Sequence, residues 1–172
     1  QTAERAPGAT TALTATGKLS VGDVDVGDTL TLSVKKVEVG GTGAAKVPGN
    51  AAGALLAMMT VPQVPDQGKA NWSFNAGEQG FDFLAEGQTL ELAYTVAVQD
   101  NAQQANSVAE AMVKITITGT NDVPTLVTNG TQAQRQITDP VDGGESERTG
   151  KVTAQGVIAL ADLDVDDVLT VA

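Results

Sequence analysis

Six aspartates occupy matched places in this chain. Asp23, Asp25 and Asp28 lie in Gly17–Ser33, G-K-L-S-V-G-D-V-D-V-G-D-T-L-T-L-S, and Asp162, Asp164 and Asp167 hold the same places 139 residues later in Gly156–Ala172, G-V-I-A-L-A-D-L-D-V-D-D-V-L-T-V-A. Aspartates two apart share a face on an extended strand, and on a turn they can converge on one cation. Calcium takes six to eight hard oxygen ligands, which carboxylates and backbone carbonyls of acidic loops supply. The competing role is to cap backbone amides in a polar turn. An EF-hand loop is excluded, because Gly27 stands at its fifth position and no Glu stands at its twelfth.

Other chemistry is sparse. With no cysteine and no histidine, the chain lacks disulfides, thiol nucleophiles, imidazole or thiolate metal ligands, and every Ser/His or Cys/His catalytic arrangement. Asp82 with Glu86, or Glu86 with Glu91, are the carboxylate pairs a glycosidase would need. Sugar sites also need aromatic platforms, and one Trp, one Tyr and three Phe fit alternating core positions better. A carbohydrate-binding module is a third reading and requires Trp72 to be exposed. A Lys–Asn isopeptide through Lys35 or Lys114 would lower the mass by about 17 Da, the loss of one ammonia. The net charge of −11 repels nucleic acid and anionic membranes and favours metal counter-ions. No apolar run approaches a membrane span, and no secretory signal opens the sequence. A hydrophobic fraction of 41% is nevertheless enough for a core.

The elements that must position these residues are strands. Thr29–Val39 alternates with Leu30, Leu32 and Val34 on one face, and the phase slips at Lys35-Lys36 before Val37 and Val39, the mark of a β-bulge. Gln88–Gln99 presents Leu90, Leu92, Tyr94, Val96 and Val98 to one side, and Val113, Ile115 and Ile117 repeat the pattern to Thr118. Shorter strands are expected at Ala12–Leu19, Ala70–Phe74 and Pro124–Thr128. Ala51–Thr60 is rich in helix formers, with Asn50 as N-cap and Pro62 and Pro65 beyond its end; Met58-Met59 is expected to plug the core. The sum is an all-β protein, an antiparallel β-sandwich with one short helix in a long loop. Its expected core is Leu30, Leu32, Trp72, Phe83, Leu92, Tyr94, Val96, Ile115 and Ile117.

The duplication divides the chain. Residues 1–122 form a first repeat without its opening strand, 123–150 a linker and strand region, and 151–172 the opening of a second, incomplete repeat. The divider is Gly119-Thr120-Asn121-Asp122-Val123-Pro124, where Pro124 forbids simple strand continuation.

Four ordered pieces carry a resemblance: the D-x-D-x-x-D-T-L-T block at Asp23–Thr31, the Trp72-Ser73-Phe74 strand, Phe81–Thr89 (F-D-F-L-A-E-G-Q-T), and Leu92–Asp100 closing at Ile115–Pro124. Together they resemble the VCBS repeat family of large bacterial surface proteins, cadherin-like in fold, which implies an antiparallel Greek-key β-sandwich of cadherin or immunoglobulin type. The Gly49–Asp66 insertion and the long Thr125–Gly150 linker depart from that pattern. The resemblance implies an extracellular, non-enzymatic stalk module of a secreted adhesin or biofilm protein, often exported by a type I system. It also implies calcium between repeats, with Asn121 and Asp122 as the linker contribution and Asp162 and Asp164 as that of the next repeat. Asp100-Asn101, which ends a neighbouring strand, is expected at the same end as Gly119–Asp122.

Neighbouring copies are the expected partners, with a cell-surface or matrix ligand beside them. Neither nucleic acid nor direct membrane insertion is expected. The alternative is a filament subunit. Leu160, Leu163, Val165, Leu169 and Val171 are expected to lack partners within the second repeat. The segment Thr125–Asp139 has no counterpart in the first, so one chain's tail could complete its neighbour by strand complementation.

Overall fold

Strands with period-two alternation, rich in β-branched residues, are the main regular elements of the protein, as the pleat requires. The computed structural model describes residues 2–3, 12–22, 29–66, 68–77, 79–101, 108–132, 134, 136, 154–164 and 167–170. Its elements are β1 (Thr2–Ala3), β2 (Thr14–Ser20), β3 (Thr31–Gly40), a 3₁₀ turn (Ala44–Lys46), α1 (Ala52–Ala57), β4 (Met59–Thr60), β5 (Lys69–Asn75), β6 (Thr89–Gln99), β7 (Val108–Thr118), β8 (Thr125–Val127) and β9 (Ala159–Ala161). The protein is therefore all-β with little helix. The chain divides into two compact units, Gln1–Asp122 with Asp164–Asp166, and Val123–Leu163 with Asp167–Ala172.

In the first unit one sheet has the order β1-β7-β6-β3 and another the order β2-β5-β4. β3/β6 and β6/β7 are antiparallel, and the register along β3 jumps between Val34 and Lys36. Lys35 is the extra residue, and the slip keeps Val37 on the inner face after Val34. β2 runs antiparallel to β5 along its whole length, Thr14 against Asn75 through Ser20 against Lys69. The N-terminus holds a strand that sequence alone does not predict: Thr2–Ala3 pairs in parallel with Ile117–Thr118. Two residues are too few to show an alternating pattern.

The helix is shorter than expected. Ala51 is its N-cap without a side-chain bond, and its amide donates to Pro48 O in a preceding turn, so Asn50 does not cap it. Met59-Thr60 leave the helix to pair with Phe74 and Ser73, because the core takes both Met58 and Met59 from adjoining elements.

Both sheets of this unit contribute to one hydrophobic core. Leu32, Leu92, Tyr94, Val96, Ile115 and Ile117 are buried as expected, joined by Leu55, Phe74, Phe81, Leu84, Leu90 and Val113. Trp72 and Phe83 are only half-buried, packed against the core from its margin. Leu30 is half-buried and outside the cluster, since it precedes the paired part of β3. Phe74 and Tyr94 meet at 6.3 Å between ring centroids. The Tyr94 hydroxyl donates to Leu55 O at 2.8 Å, which satisfies a polar group that burial would otherwise penalise. Phe81 adopts φ +63, turning the chain so that Leu84 is fully buried and its amide donates to Phe81 O at 2.9 Å.

In the second unit β8 and β9 pair antiparallel, Thr125 against Ala161, Leu126 against Leu160 and Val127 against Ala159. Leu160 thus has a strand partner within its own chain. The expectation that it would lack one fails because β8, read as a linker strand, is the neighbour of β9. Leu163 and Leu169 are exposed; Val165 and Val171 lie outside the described residues.

Candidate functional site

The strongest polar feature is a pair of buried aspartates in the first unit. Asp122 follows the end of β7, past Gly119, and Asp164 belongs to the second Asp-rich block. Each is only 3% exposed, and the Asp122 amide donates to Asp164 Oδ2 at 2.7 Å. The Asn121 side-chain amide donates to Asp122 O at 2.8 Å. Gly119 has no room for a side chain. A Cβ there would come within 2.3 Å of Ala85 O and 2.5 Å of Leu84 O, so the strand end is pressed against the turn before β6. A carboxylate enters a protein interior only with hydrogen bonds, a proton or a cation beside it. Two such groups on adjoining segments are hard-oxygen donors of the kind calcium uses.

The other candidate ligands distribute unevenly. Asp23, Asp25 and Asp28 lie outside the described residues. Asn121 and Asp167 are exposed, and Asp162 is half-buried. Asp100 does not share the end of Asn121-Asp122. β6 and β7 are antiparallel with Thr89 against Thr118 and Gln99 against Val108, so Asp100 follows the far end of β6. The ten intervening steps separate the two ends by roughly 34 Å at about 3.4 Å per residue. Successive strands of a hairpin finish at opposite ends, which overturns the expected juxtaposition. Asn101 instead accepts the Thr29 amide on its Oδ1 at 3.0 Å, tying the entry of β3 to that far end. Among the described residues no three His, Cys, Asp or Glu side chains group closely enough to hold a metal.

The carboxylates considered for hydrolysis are dispersed in character. Asp82 is half-buried in the turn after Phe81 and Glu86 is exposed, while Glu91 pairs with Lys114 at 2.7 Å on the outer face of the sheet. Lys35 is exposed. All five aromatic rings lie in the core or against it, and Trp72 lies over the backbone of Gly17, its partner across β2/β5. Sequence reading placed Asp122 and Asp164 among nine candidates. It had no signal for their selection, because burial is set by residues distant in sequence. Among the described residues no helix is long and apolar enough to cross a membrane. No family model, curated protein or solved structure matches this chain.

Proposed function

We propose that this chain is an extracellular structural repeat module of a bacterial surface adhesin or fibre, cadherin-like and similar to VCBS repeats, its joints stiffened by calcium. In this reading the two sheets of the first unit face one another as a Greek-key sandwich. The observation that carries it is the Asp122–Asp164 pair, which joins the Asn-Asp turn closing one repeat to the Asp-rich block opening the next. Asp122 and Asp164 fit a calcium site as buried hard donors, with Asp162 as a further ligand; Asp100 does not fit. Bound calcium would neutralise the charge gathered there and hold the two segments together. The parallel pairing of β1 with β7 favours a load-bearing role, because tension on the two ends of that pair shears its hydrogen bonds instead of unzipping them one at a time.

The test is a melting curve in millimolar calcium and in chelator. Calcium should raise Tm, and Asp122→Asn with Asp164→Asn should abolish the rise. A shift that survives the double substitution removes these ligands from the reading, and no shift in the unmodified chain removes calcium.

The second reading is a self-assembling subunit joined by strand complementation, favoured by the exposed apolar residues Leu126, Val157, Ile158 and Leu163 of the second unit. A carbohydrate-binding module is the least supported, since Trp72 is directed at Gly17 and the core margin.

A further inference from the structure

The duplicated sequence places two copies of one strand in different surroundings. Counting 139 residues, Ala159, Leu160 and Ala161 occupy the places of Ser20, Val21 and Gly22. In the second unit that strand is paired with β8. In the first unit its equivalent, the last residue of β2 and the two that follow it, continues the strand at the margin of the β2-β5-β4 sheet.

The backbone at that margin points the right way. The Val21 amide donates to Gly68 O at 2.8 Å, and a Cβ on Gly68 would lie 2.9 Å from Val21 O. Both polar groups of Val21 therefore face the β5 side. In an antiparallel ladder the backbone groups of successive residues alternate in direction, so those of Ser20 and Gly22 face outward. Among the described residues no strand pairs with them there. In the second unit the equivalent residues, Ala159 and Ala161, are the ones opposite Val127 and Thr125, and Leu160 lies opposite Leu126.

We propose that the outer edge of β2 at Ser20–Gly22 is a docking site for Thr125–Val127 of a second copy of this chain, antiparallel, with Leu126 opposite Val21, Thr125 opposite Gly22 and Val127 opposite Ser20. This rests on the assembling-subunit reading and gives it a strand, an edge and a register. The occupant is a second copy because the chain itself carries the strand whose register is known. Leu126 supplies the apolar part: it is 66% exposed in its own unit, whereas Val21 is packed against the core. Directly opposed residues share a face of the sheet, so docking carries Leu126 onto the core side beside Val21. The two surfaces differ, so the contact is heterologous and leads head to tail from one copy to the next. Three register positions make a weak contact, and β9 competes for the same strand, so the contact is best captured covalently.

The absence of cysteine makes each introduced thiol unique. A non-hydrogen-bonded antiparallel pair sets its Cα atoms about 4.5 Å apart, within disulfide reach. Val21→Cys and Leu126→Cys chains, mixed and mildly oxidised, should give a linked heterodimer at least about tenfold above a Val21→Cys and Val127→Cys mixture, because adjacent residues project to opposite faces. Equal yields in the two mixtures, or none in the first, overturn the proposal. A Leu126→Cys, Leu160→Cys chain should close internally, so its closure beside a failed intermolecular link shows that the pairing in the second unit does not extend to β2. Sedimentation of the cysteine-free chain gives a second measurement: its mean mass should rise with concentration, and Leu126→Asp, an exposed change, should remove that rise. A concentration-independent monomer overturns the proposal regardless of how the cysteine variants fold. Calcium response is independent: a Tm shift without cross-linking leaves the stalk reading standing and removes this one, and the reverse result does the opposite.

Discussion

Gly17 and Trp72 provide the sharpest test of the first unit, because one methyl group decides where the only tryptophan can sit. The two residues are cross-strand partners. A Cβ built on Gly17 would lie 2.4 Å from Trp72 Cζ2, 2.5 Å from Cε2 and 2.7 Å from Nε1. Carbon atoms in contact sit about 3.5–4.0 Å apart, so in Gly17→Ala the indole must retreat by roughly 1 Å or leave its place. Trp72 is half-buried and can move toward solvent, but doing so uncovers the core margin. Overpacking of this kind costs about 1–3 kcal/mol. Alanine returns about 0.5–1 kcal/mol through reduced backbone freedom in the unfolded chain. The expected net loss is therefore roughly 1 kcal/mol at mid-range, with extremes of about 0 and 2.5, and larger for Gly17→Val. Urea unfolding followed by Trp72 fluorescence and by far-UV circular dichroism measures it, with a red-shifted native emission reporting the displaced ring. In a Trp72→Leu background the same Gly17→Ala change should become neutral or stabilising. Unchanged stability and emission for Gly17→Ala with Trp72 present would refute this packing and reopen the indole to a sugar-binding role.

Tyr94→Phe should cost about 1 kcal/mol in urea unfolding, since it removes a buried hydroxyl donor from Leu55 O and leaves that carbonyl only the Met58 amide at 3.2 Å. Burial also pushes the Tyr94 phenol above its ordinary value of 10.0. A group raised in the folded state contributes stability that is complete below its unfolded value, so stability should fall as the pH rises above about 10, and Tyr94→Phe should flatten that alkaline slope. Gly119→Ala should destabilise by about 2 kcal/mol or more, because the obstructing atoms are the Leu84 and Ala85 carbonyls and not a flexible side chain; a thermal melt within 1 °C of the unmodified chain argues against that contact. Leu84→Ala should cost about 2–5 kcal/mol as a fully buried truncation, read by the same melt.

Much of the architecture is written in local pattern. The strands β3, β6 and β7 follow from period-two alternation, and the Lys35 bulge from a one-residue slip in it, because the pleat sends successive side chains to opposite faces. The duplication of Gly17–Ser33 at Gly156–Ala172 is likewise a property of sequence alone, and so is the acidic, cysteine-free chemistry that limits the functions open to the chain. Tertiary structure decided what depends on residues distant in sequence. It moved Asp100 to the far end of β6, since strand direction fixes which ends meet. It took Met59 out of the helix, because pairing with Phe74 outweighs helix propensity. It set Trp72 over Gly17 and gave Leu160 a partner in β8. Above all, it buried Asp164 beside Asp122 while leaving Asp167 exposed: burial is set by what the rest of the chain brings alongside, and the spacing of the aspartates carries no local record of that.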